Sequence, residues 1–304
     1  MATNLAKAYV QIVPSAEGMK GMIEQAMGKD PEEAGEKAGN SIASKIKNII
    51  VAAGIGKVVS QAFTEGGALE QSLGGIETLY KKNADKMKAY AKEAYKTSGV
   101  SANAYMENVT SFSASLISSL KGDTSKAADI ANRAMQDMSD NSNKFGTNIQ
   151  DIQNAYQGFA KQNYTMLDNL KLGYGGTKEE MQRLLKDAQK LSGQKYDISN
   201  LADVYTAIGV IQDNLDITGT TAKEAATTFS GSFGSMKAAA QDFLGNVAIG
   251  GDVTGTLSNL ITTASTFLFD NAGPMALNIV QGFATALISA TPILFQKGYD
   301  LLNS

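Results

Sequence analysis

The amino-acid sequence predicts a mainly α protein, an elongated helical bundle or array, on three observations. All four prolines lie near the ends, at Pro14, Pro31, Pro274 and Pro292, so Glu32 to Gly273 is free of the residue that most strongly interrupts helices. Glycine supplies the punctuation instead: between Gly75 and Gly146 it occurs only at Gly99 and Gly122, a spacing suited to helices joined by tight turns. Within those intervals apolar residues recur at steps of three and four, the period of a helix with one buried face.

Residues 1–67 read as an N-terminal strand and helical arm. Tyr9-Val10-Gln11-Ile12-Val13 alternates as a short strand would, and Met1 to Pro14 lacks the basic start and continuous apolar run of a secretory signal. From Asn48 to Phe63, Gly54 and Gly56 are set among Ile49, Ile50, Val51, Ile55, Val58 and Val59. Lys57 interrupts the run, which favours a small-residue packing helix over a membrane span.

Residues 68–218 are expected to form a helical core domain. Ile76, Leu79, Tyr80, Met87, Tyr90, Ala91, Ala94 and Tyr95 define one face of its first helix, and Lys81, Lys82, Lys86, Lys88, Lys92 and Lys96 fill the remainder. That lysine face could be taken for a DNA or anionic-lipid patch, but a charge run on an amphipathic helix is usually its solvated side. Ile149, Ile152, Ala155, Tyr156 and Phe159 keep the same period, so Asn148 to Leu172 is expected to pack one stripe against neighbouring helices in a bundle. After Gly173-Tyr174-Gly175-Gly176, Thr177 and Glu180 have capping-box spacing, with Met181, Leu184, Leu185, Ala188 and Leu191 as the stripe. Glu179 with Arg183, and Arg183 with Asp187, are spaced to pair on the exposed side.

Residues 219–304 read as an apolar, Gly/Thr-rich helical region. Thr221 and Glu224 repeat the capping-box spacing and open a helix through Phe229, Phe233, Met236, Ala240 and Phe243, weakened in its middle by Gly231 and Gly234. From Phe243 to Gln296 the only charges are Asp252 and Asp270, and Asn271 to Gln296 has none. That uncharged stretch exceeds the roughly 20 residues a membrane span requires, yet Asn278, Gln281, Gly282, Thr285, Ser289, Thr291 and Pro292 dilute it. Leu277, Val280, Phe283, Ala284, Leu287, Ile288 and Leu294 are its candidate contact residues, for packing against other protein or for conditional insertion into a membrane.

Composition excludes several function classes. With 43% apolar and 19% charged residues the 304-residue chain can bury a core, and its net charge of −3 provides no basic field for a nucleic-acid backbone. Cysteine and histidine are both absent, which removes thiolate nucleophiles, thiolate and imidazole metal sites, and the side chain best suited to proton transfer near neutrality. Gly54-Ile55-Gly56-Lys57-Val58-Val59-Ser60 fails as a dinucleotide fingerprint because Ser60 replaces the third glycine, and Thr177-Lys178 reverses the P-loop order. Glu32 with Glu33 and Glu179 with Glu180 are adjacent at helix starts, where they complement the dipole but diverge in direction. The sequons at Asn108-Val109-Thr110 and Asn163-Tyr164-Thr165 are short enough to arise by chance. No catalytic residue, cofactor or metal ligand is expected, and the chain reads as no enzyme.

Several strings resemble tail tape measure proteins of long-tailed phages and prophages of Gram-positive bacteria. Ala8-Tyr9-Val10-Gln11-Ile12-Val13-Pro14-Ser15 is similar to that family's N-terminus. Thr110-Ser111-Phe112-Ser113-Ala114-Ser115-Leu116 and Met138-Ser139-Asp140-Asn141 resemble its core domain, and the longest match runs unbroken from Asn154 to Thr177. Together they spread over most of residues 1–245. The resemblance implies a structural and assembly protein inside the virion tail, made in the host cytoplasm and acting as a molecular ruler with coiled-coil character. Its implied partners are the major tail tube protein, tail assembly chaperones, distal tail proteins and further copies of itself along the tail axis. It also implies genome ejection, with DNA only as passing genome and apolar segments entering the host membrane. Drawn out as one helix, a chain of this length would reach roughly 450 Å. The competing readings are a secreted helical pore-forming or membrane-disrupting protein, and, less compatible with the missing histidine, a peptidoglycan hydrolase.

Overall fold

The computed structural model describes residues 55–278, with side chains from Ser60 onward. It is mainly helical, with no strand among the described residues. The expected strand at Tyr9–Val13 lies outside them, as do residues 48–54 of the apolar run Asn48–Phe63, whose remainder is helical.

Helix α1 (Ile55–Tyr80) is followed by a 3-10 turn at Lys81–Asn83 and then α2 (Ala84–Thr97). The single helix expected from Ile76 to Tyr95 is therefore two. Ile76, Tyr80, Ala84, Met87, Ala91 and Ala94 are all buried, so the inward stripe survives the break. A three-residue turn replaces almost one helical turn, and periodicity cannot register it. Tertiary bonds fix the break: Tyr80 Oη lies 2.7 Å from Ser113 Oγ, and Asn83 Nδ2 donates to Thr124 Oγ1 at 2.7 Å, while Lys81 takes a left-handed φ of 50°.

Next come α3 (Ala102–Ser119), α4 (Thr124–Phe145) and α5 (Ile149–Phe159). Each opens on a side-chain cap: Ser101 accepts from the Ala104 amide, Asp123 from Ser125 and Lys126, and Asn148 from Gln150. Gly146 ends α4 at φ 64°. Helix α3 turns Tyr105, Met106, Val109, Phe112 and Leu116 inward, whereas α4 lines its inner face with Ala127, Ala128, Ala131 and Ala134, which admits neighbours closely.

The helix expected from Asn148 to Leu172 stops at Phe159. Gln162 adopts a left-handed φ of 56°, Asn163 Oδ1 accepts from the Thr165 amide, and a short 3-10 turn at Leu167–Leu170 comes next. Tyr164, Leu167, Leu170 and Leu172 still point inward, so the apolar pattern marks burial without a continuing helix.

Helix α6 (Lys178–Ser192) begins where the sequence places it, with Thr177 Oγ1 accepting from the Glu180 amide at 3.2 Å. Its surface pairing differs from expectation. Arg183 binds Glu180 and the Gly173 carbonyl and stacks on Tyr174 at 4.3 Å, while Asp187 takes Lys190. Three-residue spacing wins because it lets Arg183 reach the preceding loop as well. Leu191, expected in the stripe, is half exposed.

Helices α7 (Leu201–Asn214), α8 (Thr220–Thr227), α9 (Phe229–Ile249) and α10 (Val253–Ser265) complete the order, with a π-helical segment at Thr266–Ala272. The helix expected to run from Thr221 through Phe243 breaks at Thr228, whose hydroxyl caps α9 by accepting from the Gly231 amide. Phe229 and Phe233 are exposed, and the buried residues of α9 are Ser232, Ser235, Ala238, Ala239, Asp242 and Gly245. One contiguous core runs from Leu69 to Ile217, with Tyr205 at its aromatic centre against Phe112 (5.4 Å, edge-on) and Tyr156 (5.0 Å).

Two glycines test this packing in opposite directions. A Cβ on Gly176 would stand 2.2 Å from the Thr165 carbonyl oxygen, so Gly176→Ala is expected to lower stability by about 1–3 kcal/mol. Gly67 is exposed inside α1 with open space around it, so Gly67→Ala is expected to raise stability by about 0.5–1 kcal/mol. Urea unfolding of both variants checks the pair, and the reverse order would contradict the packing.

Candidate functional site

The densest polar construction among the described residues lies on one face of α4. Arg133, Asp137, Asp140 and Asn141 come at steps of four, three and one, so they share a side of the helix. Arg133, Asp140 and Asn141 each bind a different neighbouring element, and Asp137 pairs with Arg133 within α4.

Arg133 Nε donates to Asp137 Oδ1 at 2.8 Å, and its Nη2 reaches Asp213 Oδ1 at 2.6 Å, Thr218 Oγ1 at 3.0 Å and the Gly209 carbonyl at 3.4 Å. One guanidinium thus holds the end of α7 and the connection beyond it. Gly209 leaves room for this pair, because a Cβ there would stand 2.8 Å from Asp137 Oδ2. Asp140 accepts from the Gly219 amide through Oδ2 at 2.6 Å and from the Thr221 amide through Oδ1 at 2.7 Å. It thereby caps α8 from another helix, in place of the local capping box the sequence suggests at Thr221. Asn141 Nδ2 donates to the Leu170 carbonyl at 2.9 Å and fixes the turn after α5.

Asp137 is fully buried, and burial pushes its carboxyl up to about 7 against the pull of Arg133; Asp213 and Asp140 push in the same upward direction. Its Oδ2, the Tyr156 hydroxyl and both polar atoms of the Gln212 amide are buried without an aligned hydrogen bond. A second buried carboxyl, Asp242 on α9, accepts from the Ala102 amide at 2.7 Å. Burial raises it to about 7 as well, with Glu65 adding to the rise and the Ala102 amide opposing it. Both carboxyls are closed off from solvent, so their protons are coupled to the fold and not to a ligand in a cleft.

The lysine face of α2 is largely neutralised. Lys86 pairs with Asp129 at 2.6 Å, Lys88 with Glu77 at 2.6 Å, Lys92 with Asp252 at 3.6 Å, and Lys96 with Glu93. Among the described residues no group of three or more acidic, cysteine or histidine side chains is placed to hold a metal ion. Leu277 is half exposed, whereas Val280, Phe283, Ala284, Leu287, Ile288 and Leu294 lie outside the described residues. No helix among the described residues is long and apolar enough to cross a membrane.

Sequence reading passed over Arg133, Asp137, Asp213 and Asp242. A signal existed: Asp137 and Asn141 stand three and seven residues beyond Ala134, on the inward stripe of an otherwise apolar face. The strings singled out within the described residues do meet. Phe112 and Tyr156 both pack on Tyr205, and Asn141 holds Leu170, so α3, α4 and the Asn154–Thr177 segment converge beside α7. Compared with protein-family models, curated proteins and solved structures, the chain matches none.

The two raised carboxyls give a signed pH dependence. Each binds its proton more tightly in the folded state than in the unfolded chain, where Asp titrates near ~3.9, so their contribution to stability is greatest below that value. It declines as pH rises towards about 7 and is flat above. Glu180, held at about 2 by Arg183 and the Gly175 amide, and Asp129, Asp187 and Asp197, held low by Lys86, Lys190 and Ser199, act below that window and in the opposite sense. Thermal unfolding between pH 5 and 8 should therefore show a midpoint that falls with pH, and Asp137→Asn should flatten the slope. An unaltered slope in the variant would refute the assignment.

Proposed function

We propose that this chain is a structural and assembly protein of a phage tail, a scaffold or ruler within the tail tube, acting through packed helices and without catalysis or cofactor. The observation that carries this reading is the convergence of the strings resembling tape measure proteins. Thr110–Leu116, Met138–Asn141 and Asn154–Thr177 are far apart in sequence, yet they build one aromatic and polar junction beside α7. Tail tube subunits, assembly chaperones, distal tail proteins and further copies of the chain are the partners this reading assigns, with the tail interior as its place in the virion.

Bundling shapes that role. The longest described helix, α1, has 26 residues and advances ~39 Å, far short of the reach of the whole chain drawn out as one helix. The folded body is accordingly assigned a scaffold role, and measurement by length is assigned to an opened chain. The apolar segment Asn271–Gln296 is assigned to tube packing or to the host membrane during genome passage.

The test is polymerisation of the neighbouring tail tube protein with and without this chain, with tube lengths measured by electron microscopy. A narrow length distribution that appears only with the chain is expected; the same distribution in both samples would remove the role. Deleting Ala84–Ser119 takes out α2 and α3, with Tyr105, Met106, Val109, Phe112 and Leu116 from the core, and should abort assembly instead of shortening tails. Leakage from liposomes exposed to the pure chain alone would favour the pore-forming reading instead.

A further inference from the structure

The main core ends at Ile217, and the helices beyond it are built differently. Helices α8 to α10 and the segment Thr266–Ala272 hold to one another through apolar contacts. The Phe267 ring packs against Phe229 at 5.1 Å and Phe233 at 5.3 Å, and Asn271 Nδ2 donates to the Ala226 carbonyl at 3.2 Å, tying the last turn to the first helix of the group. Their attachment to the core is of another kind. The buried residues of α9 are small or polar, and its packing on α1 sets Ala248 and Ile249 over Gly66 and Leu69 against Gly245, while Phe229, Phe233, Val247, Leu268 and Phe269 are exposed. Polar bonds supplement this small-residue packing. Asp140 caps α8, Asp242 accepts from the Ala102 amide at the start of α3, Gln241 Nε2 donates to Glu65 at 3.1 Å, and Lys92 lies 3.6 Å from Asp252.

We propose that Thr220–Ala272 is an arm that opens from the core as one cooperative unit while α2 to α7 remain folded. Burial of alanine, serine and glycine yields much less free energy than burial of the tyrosines, phenylalanines and leucines that close the core, so the arm interface is the weaker seam. The groups joined across it are amides, carboxyls and a lysine, which water can satisfy once the seam parts. The aromatic contacts inside the arm stay intact on opening, which makes the motion collective. Opening of the arm does not depend on the tail reading.

Amide hydrogen exchange on the full chain tests it, read by peptide. Arm peptides between Phe229 and Ser265 should exchange together and roughly tenfold or more faster than peptides of α3 to α5. Asp140→Ala removes the cap on α8 and should speed arm exchange roughly tenfold, leaving α3 to α5 unchanged. Gly66→Val acts from the other side of the seam, since a Cβ there would stand 2.4 Å from Ala248 Cβ, and should have the same selective effect. Equal exchange in arm and core, or equal acceleration of both by Asp140→Ala, would mean global unfolding and overturn the proposal. Acceleration confined to α8 would overturn its cooperativity. Should either variant fail to fold, the comparison of arm with core in the unaltered chain decides alone.

Discussion

The polar face of α4 is the constraint on which the surrounding arrangement depends. Its alanines bring neighbouring helices close, and at that distance any side chain that is not small must have a defined partner. Arg133, Asp140 and Asn141 satisfy the condition by binding the ends of other elements, the exit of α7, the start of α8 and the turn at Leu170, while Asp137 pairs with Arg133 inside α4. Register is fixed by the same contacts. Sliding α4 by one residue would leave an arginine and two aspartates buried against apolar surface, a penalty much larger than the loss of one hydrogen bond.

Two grades of packing result. Around Tyr205, aromatic rings from α3, α5 and α7 meet edge-on or tilted, and the bulk of the apolar burial lies there. Across α9 the contact with α1 is made chiefly by small residues, Ala248 over Gly66 and Gly245 under Leu69, where the helices approach closely. The same chain thus joins a core held by the hydrophobic effect to a layer attached through small residues and polar bonds.

The sequence made some of this legible and not the rest, for reasons that differ by element. The stripe from Ile76 to Tyr95 marks inward residues correctly because burial tracks spacing, but the turn at Lys81–Asn83 is set by Ser113 and Thr124, more than thirty residues away. Thr177 is readable because a cap is a local interaction with a fixed offset. Helix α8 misleads for the opposite reason: its cap comes from Asp140, 79 residues before Gly219. Hydrophobicity alone would place Phe229 and Phe233 inside, and α9 instead turns its serines and alanines inward because α1 approaches too closely for larger groups. Asp137 is the hardest to find. It pairs with Arg133 of its own helix and abuts Gly209 of α7, and only its place on an apolar stripe betrays it.

Several helix boundaries carry left-handed residues that are not glycine: Lys81, Lys121, Gln162, Lys171 and Asp216. Such a conformation costs roughly 1–2 kcal/mol for a side chain with a Cβ, and local preference would not choose it. At Lys121, Gln162 and Asp216 the cost is met locally, since the next amide closes back on the carbonyl five residues earlier, whereas the break at Lys81 is held by Ser113 and Thr124 of other helices. A peptide excised across Ile76–Tyr95, deprived of Ser113 and Thr124, has nothing to halt it at Lys81 and should coil straight through. That one bend is thus written in the meeting of distant segments and vanishes when its helix is taken singly, while the locally capped ends carry their own stops.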